Sequence, residues 1–453
     1  MMGISLEMLW TDYMIWGLML ALLVWARLIS RSPQVRQQWL QIFESRLAMI
    51  SAILLMVYLL IALMDSVHFR VDASSTLLSD NQSVLDTALP HLASDQERTY
   101  SAPFATTEYN KSLEVGDDGR VEQRYRPLKH VEPVSIVQAS LEAALAGLLI
   151  SLLLILLHAL WRSRVHRLSL LAYSRQVWLN QTRLPWRTGY LTLILVVVFL
   201  AWLYHLSFFY HVFGTDKVGN DVLYESLKSI RTGVLIGVLT TLVMLPLSLI
   251  LGISAGLFRG WVDDVIQYIY TTLNSIPGVL LIAAAVLVMQ AIMSNNPEWF
   301  SSTEERADIR LLFLIFILGM TSWTGLCRLL RAETLKISQV DYVTASKAFG
   351  VSRFRIIGRH IMPNVMHIVL IAVVLDFSGL VLAEAVLSYV GVGVDPTMHS
   401  WGNMINQARL EMAREPMVWW SLFSAFFFMF ILVLAANLFS DRVQTVLDPR
   451  NQK

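Results

Sequence analysis

Long apolar blocks limit this chain more than any other feature. They fall at about residues 13–29, 47–64, 135–160, 189–210, 233–257, 266–293, 311–331, 364–390 and 418–439. Most approach the roughly 20 residues a helix needs to cross a bilayer, although the first two are short for full crossings. In hydrocarbon every backbone N–H and C=O must be satisfied within the protein, so such runs become helices. Apolar residues make up 55% of the 453 and charged residues 15%, which excludes an ordinary soluble globular chain. The expectation is an all-α polytopic membrane protein with about nine transmembrane helices.

Loops rich in Lys and Arg stay on the cytoplasmic side, which sets a direction. Residues 161–188 carry Arg162, Arg164, Arg167, Arg175, Arg183 and Arg187 with no acidic residue. Residues 332–363 carry Lys336, Lys347, Arg353, Arg355 and Arg359 against Glu333 and Asp341. Both stretches are predicted inside. The polar stretch 65–134, where Asp72, Asp80, Asp86, Asp95, Glu97, Asp117 and Asp118 outweigh the basic residues, is predicted outside. Counting crossings back from an inside C-terminus puts the N-terminus outside, with Arg27, Arg31, Arg36 and Arg46 following the first block inside. That block has no basic residue before it, so it reads as an uncleaved helix rather than a signal peptide.

Several polar positions interrupt the apolar runs. Asp376 and Glu384 share the eighth span, eight residues or about 12 Å apart, and face broadly one side. They suit either helix packing and subunit contact or a hydrophilic pathway. Asn274, Ser275 and Pro277 break into the sixth span, as a hinge or as a static kink. Gly214, Thr215, Asp216, Asn220 and Asp221 precede an amphipathic run from Val222 to Ile230, which reads as an interfacial helix. Thr215, Asp216 and Asn220 are good N-cap types for it. Trp401, Trp419 and Trp420, at or near the ends of loop 391–417, suit an aromatic belt.

Enzyme motifs fare poorly. Gly252, Ser254 and Gly256 match Gly-x-Ser-x-Gly, but inside an apolar span small residues four apart read as close helix packing. No Gly is followed by Lys, so a phosphate-binding loop is missing, and there is no His-Glu-x-x-His signature. His68, His91 and His130 of the polar stretch are far apart in sequence. The one cysteine, Cys327, lies within a span and reads as a packing residue. A net charge of +1 argues neither for nor against a nucleic-acid partner; the basic residues sit on membrane-flanking loops, where orientation explains them, and no nucleic acid is expected.

Between the seventh and eighth spans runs Asp341–Pro363, DYVTASKAFGVSRFRIIGRHIMP. Asp341 can cap or flank a helix start, while Tyr342, Val343, Ala345 and Ser346 offer a narrow face for another protein. Gly350 allows a turn, and Pro363 ends one helix or begins the next. With Thr344–Ala345–Ser346, Gly350 and Met362–Pro363 at the spacing of a Glu-Ala-Ala, Gly, Leu-Pro pattern, the stretch from His211 to Arg450 resembles the permease subunits of the dipeptide, oligopeptide and nickel branch of binding-protein-dependent ABC importers. Other blocks fall in the same order: FGTDKVGNDVL at 213–223, GWVDD at 260–264, LAEAVLSYVGVGV at 382–394, SWGNMI at 400–405 and LDPR at 447–450. Thr344 and Ser346 depart from the family's Glu and Ala, and Asn220 from its usual Arg. Without the Glu, either coupling relies on shape and backbone contacts or the partner's groove differs correspondingly.

The resemblance implies a six-helix permease core over 185–453, with 341–363 as the segment that docks on an ATPase subunit. It is preceded by an extension of two helices (1–64), a polar extracytoplasmic insert (65–134), and a third helix with a basic loop (135–184). It further implies a bacterial inner-membrane location, a second related permease or a second copy of this chain, two ABC ATPase subunits that bind ATP and Mg, and an extracytoplasmic substrate-binding protein delivering peptides by default, with nickel, antimicrobial peptides or glycosides as alternatives. This chain would bind no cofactor and no metal itself. The alternative is a secondary transporter or channel working without an ATPase, which leaves 341–363 unexplained.

Overall fold

Apolar runs with helix-favouring ends dictate most of the architecture. The computed structural model describes residues 4–6, 8–31, 33–71, 81–115, 121–300 and 302–447. Asp72, Asp80, Asp117 and Asp118 of the insert, and residues 448–450 of the last sequence block, lie outside the described residues. In chain order the elements are β1 (Ile4–Leu6), α1 (Trp10–Arg31), α2 (Pro33–Phe43), α3 (Arg46–Met64), β2 (His68–Val71), β3 (Asn81–Ser83), α4 (Val84–Ala88), α5 (Pro90–Ser94), β4 (Thr107–Val115) and β5 (Val121–Pro127). Then follow α6 (Ile136–His166), α7 (Leu170–Trp178), α8 (Trp186–Leu206), α9 (Val222–Phe258), α10 (Trp261–Ser275), α11 (Gly278–Asn295), α12 (Thr303–Ile337), α13 (Asp341–Ala348), α14 (Arg353–Ile356), a π-helical turn (Ile357–Ile361), α15 (Met362–Tyr389), α16 (Trp401–Glu411) and α17 (Trp420–Leu447).

Among the described residues, eight helices are long and apolar enough to cross a membrane: α3, α6, α8, α9, α11, α12, α15 and α17, with α14 and the π turn continuing α15 at its start. The first expected span falls short, because the apolar part of α1 runs only from Trp10 to Val24. Strand pairing nevertheless constrains it. β1 pairs antiparallel with β2, Ile4 opposite Val71 and Leu6 opposite Phe69, so the chain before α1 and the chain after α3 lie at the same end. If α3 crosses, the path through α1 and α2 must cross too.

The sixth expected span is a more substantial correction. Residues 266–293 are not one helix: α10 stops at Ser275, Ile276 is extended (φ −92°, ψ 131°), and α11 starts at Gly278. Pro277 is the cause, since its ring disfavours the helical region for the residue before it. The run from Val222 to Ile230 is likewise no separate interfacial helix but the first turns of α9. The 37 residues of α9 measure about 55 Å, against roughly 30 Å of hydrocarbon.

The chain divides into two compact units. The first comprises 1–8, 12–232 and 399–435. It holds the small sheet β1–β2–β3, the hairpin β4–β5, and α6 packed along α8 closely enough that a Cβ on Gly147 would meet Val198 Cα at 2.8 Å. Apart from β1, these strands sit in the insert region, while the membrane-spanning part is helical. The second unit comprises 9–11, 233–398 and 436–453. In its core Met244, Trp323, Leu326, Leu330 and Val365 are buried together with side chains from 341–363. Gly252 and Gly256 let α9 approach α12: added Cβ atoms would lie 2.8 Å from Cys327 O and 2.6 Å from Thr334 Cβ. Gly-x-Ser-x-Gly is here a packing motif, and Cys327 is a buried packing residue.

Candidate functional site

The segment 341–363 is pinned on one side and bare on the other. Val343, Ile356 and Ile361 are fully buried in the core of the second unit, and Met362 packs against it. Asp341, Tyr342, Thr344, Ala345 and Gly350 are exposed, Ser346 is half-buried, and Phe349 and Phe354 are 87% and 82% exposed. Aromatic side chains in water at that level mark a contact surface more than a solvated loop. Asp341 does not cap the helix. Val340 holds the N-cap position, and Asp341 is the first helical residue, where its charge favours the positive end of the helix dipole.

Gly350 closes α13 as the sequence predicts. Its φ is +74°; its N–H donates to Lys347 O at 3.0 Å, and Val351 N–H donates to Ser346 O at 3.1 Å. Together these form a Schellman cap, which needs the left-handed conformation that glycine adopts without penalty. Thr344 Oγ1 donates to Val340 O at 3.3 Å and Ser346 Oγ to Tyr342 O at 2.7 Å, so both hydroxyls are turned back on the helix. Pro363 has no N–H for the carbonyl four residues before it, and the π turn just ahead accommodates the defect. Asn364 Nδ2 donates to His360 O at 2.6 Å and to Tyr342 Oη at 3.1 Å, tying the start of α15 to α13. Nearby, Arg331 Nε and Nη2 reach the two Asp263 oxygens at 2.5 and 2.7 Å. Those hydrogen bonds hold the Asp263 carboxyl below the usual carboxylate range.

The motif at 214–221 builds the start of α9. Asp221 is the cap, with Oδ1 accepting from Leu223 N–H (2.8 Å) and Tyr224 N–H (3.2 Å); Thr215, Asp216 and Asn220 serve the loop instead. Thr215 Oγ1 donates to Thr99 O and accepts from Ser101 N–H, fastening the insert. Asp216 Oδ1 accepts from Val218 and Asn220 N–H, closing the turn. Gly214 (φ +70°) has Ser101 O so close that no Cβ fits. Trp420 and Trp401 are buried, their Nε1–H groups donating to Thr215 O and Ser226 O, so only Trp419 of the expected aromatic belt is exposed.

Sequence reasoning missed a charge network around this motif. Lys228 Nζ lies 2.9 Å from Asp86 Oδ1 and 3.5 Å from Asp65 Oδ1, and Arg231 Nη2 lies 2.5 Å from Asp12 Oδ1. Asp12 also faces His68 Nδ1 at 2.8 Å. Burial pushes the Asp65 carboxyl up despite Lys228. For Asp86 burial is outweighed by the Lys228 charge and hydrogen bond, so its carboxyl is held down; Asp86 is the main counter-ion. His211 Nδ1 sits 2.7 Å from Asp221 Oδ2, with Glu97 Oε1 3.7 Å from Nε2. Burial opposes a charge on His211, but Asp221 and Glu97 outweigh it and raise its pKa. His91 bonds Ser207 Oγ at 2.7 Å and His130 lies 3.5 Å from Glu97. The three insert histidines thus have separate partners, and among the described residues no group of three His, Cys, Asp or Glu could hold a metal.

The in-span polar residues separate. Asn274 Oδ1 accepts from the buried Thr324 Oγ1 at 3.1 Å, at the break before Pro277; Asn274 and Pro277 are exposed. Glu384 is buried and accepts from Ser388 Oγ at 2.7 Å. Asp376, one face away at 80° around the helix, is half-buried. It makes no hydrogen bond or ion pair among the described residues. An Asp at mid-bilayer costs about 2.5–3.5 kcal/mol unless it faces protein or water.

Residues 248–453 match the family described as binding-protein-dependent transport system inner membrane component. The chain is 30% identical over 240 residues to the dipeptide transport system permease protein DppC of Bacillus subtilis, covering 53% of this chain and 69% of the relative. It is 30% identical over 244 residues to the oligopeptide transport system permease protein OppC of Haemophilus influenzae, covering 54% and 71%. Against the glutathione transport system permease protein GsiD of Pectobacterium atrosepticum the figures are 29% over 240 residues, 53% and 73%.

Proposed function

Because the chain belongs to the binding-protein-dependent transport system inner membrane component family, we propose that it is a transmembrane permease subunit of an ATP-driven importer of peptides. Its spans form part of the pathway, and 341–363 receives motion from a separate ATPase subunit. One observation carries this reading: the segment 341–363, anchored by buried Val343 of α13, Ile356 of α14 and Ile361 of the π turn, leaves Tyr342, Phe349 and Phe354 exposed. A shift of the exposed face must move the start of α15, since Asn364 bonds Tyr342 and the helical path from Arg353 to Tyr389 is continuous.

The basic stretches 161–188 and 332–363 face the cytoplasm and the insert faces outward, with the N-terminus outside and the C-terminus inside. ATP and Mg are bound by the ATPase subunits. A second, related permease completes the pathway. A substrate-binding protein docks at the insert end, where Met417 O accepts from Tyr109 Oη and Thr215 is bonded to Thr99 and Ser101. The peptide assignment follows the named cargo of the similar permeases. Affinity tagging at the C-terminus, gentle solubilisation of native membranes and mass spectrometry test the assembly. Recovery of a second permease and P-loop ATPase subunits is expected; reproducible recovery of the folded chain alone would refute the importer reading.

A further inference from the structure

Asp376 stands midway along α15, with about 20 Å of helix on either side. Such a carboxylate is expensive in lipid, so it faces water or protein. Other carboxylates in the spans of the second unit have partners: Glu384 takes the Ser388 hydroxyl, and Asp308 takes Thr11 N–H at 3.1 Å. Asp376 has none among the described residues and is only half-buried. Gly379, one turn along, has nothing within 4 Å of where a Cβ would stand, so there is open space beside the carboxylate. Leu375 and Leu382 flank that face, exposed. The geometry suits a cation that approaches from outside this chain. A divalent metal needs several protein ligands and finds no such group among the described residues. A primary ammonium needs one carboxylate and fills its remaining donors with water or backbone.

We propose that Asp376 is a cargo-recognition point inside the pathway, its carboxylate binding the ammonium group of a passing peptide near mid-membrane. The proposal rests on the importer reading above. It assigns the permease itself a share of selectivity, separate from that of the binding protein.

The test uses the complete importer with its binding protein, reconstituted in lipid vesicles, comparing wild type, Asp376→Asn and Asp376→Glu. Uptake of a free-amine peptide is compared with that of an N-acetylated peptide the binding protein also accepts, alongside ATP hydrolysis and subunit recovery. Asp376→Asn should lower free-amine uptake per ATP by about ten- to a hundredfold, the range for losing one hydrogen bond to a charged group. Uptake of the N-acetylated peptide, ATP hydrolysis and subunit ratio should stay at wild-type levels, and Asp376→Glu should recover most of the uptake. Wild-type uptake by Asp376→Asn would overturn the proposal, as would an equal loss for both peptides. Loss of the second permease from the variant complex would overturn it as well, making Asp376 a subunit contact. Failure of the importer reading shows itself earlier, as wild-type complex without ATPase subunits, and takes the proposal with it.

Discussion

Replacing Gly350 by Val isolates the backbone contribution to the α13 cap. No atom lies within 4 Å of the position a Cβ would take, so the substitution meets no steric clash. The φ of +74° is another matter. A left-handed conformation costs a non-glycine residue roughly 1–2 kcal/mol, with β-branched residues at the upper end. If the cap opens to relieve it, the amides that depend on it open about 5- to 30-fold more often. Hydrogen exchange on the solubilised protein should therefore show faster exchange at Phe349 and Val351, whose N–H groups donate to Ala345 O and Ser346 O. Exchange in α12 and the middle of α15 should not change. Gly350→Asn should be milder, and Gly358→Ala, also without neighbours but without a positive φ, should leave the cap intact. In the reconstituted importer the Val variant should hydrolyse ATP with reduced uptake per ATP. Unaltered exchange at Phe349 and Val351 would refute the capping argument, and altered exchange with normal uptake would refute the coupling role.

Three further outcomes follow from particular contacts. Asp12→Ala leaves Arg231 buried without its 2.5 Å carboxylate partner and should destabilise the detergent-solubilised chain by about 3–5 kcal/mol in urea unfolding; a loss below 1 kcal/mol would contradict a buried ion pair. Gly256→Leu should cost at least about 1–3 kcal/mol, because even its Cβ would stand 2.6 Å from Thr334, and near-native stability would refute close α9–α12 packing. His399 is held neutral by burial and the nearby Lys228, its pKa brought down to about 4 from 6.5. A depressed histidine pKa favours folding in the neutral form, so stability is full above pH 6.5 and is lost toward pH 4, by about 1.4 kcal/mol per unit. His399→Gln should flatten that acid limb, and an unchanged limb would assign it to other groups.

What was legible in the sequence was local. Apolar length gave the spans, Gly350 gave the turn after α13, and small residues four apart gave the α9–α12 contact. The break at Ile276–Pro277 is legible in the sequence as a hinge or a static kink within one span, whereas Pro277 forces the preceding residue out of the helix and ends α10 altogether. Trp401 and Trp420 read as belt residues since nothing in the chain distinguishes an aromatic ring at a membrane surface from one whose N–H is bonded in a core. Asp221 rather than Thr215, Asp216 or Asn220 became the cap because Thr215 is bonded to Thr99 and Ser101 of the insert, while Asp216 and Asn220 bond each other within the turn. The Lys228–Asp86 pair spans 142 residues and leaves no periodic trace. Phe349 and Phe354 passed unnoticed for a similar reason, as an exposed aromatic residue and a core one look alike until burial is known.

Docking of 341–363 on an ATPase subunit can be read out by cross-linking. A photoreactive phenylalanine analogue is placed at position 354 or, separately, at 349, both exposed and away from the buried anchors. Irradiation of native membranes followed by mass spectrometry should yield an adduct with a P-loop ATPase subunit, lost when that subunit is absent. Adducts only with lipid or with this chain itself, in cells that still take up peptide, would contradict the account.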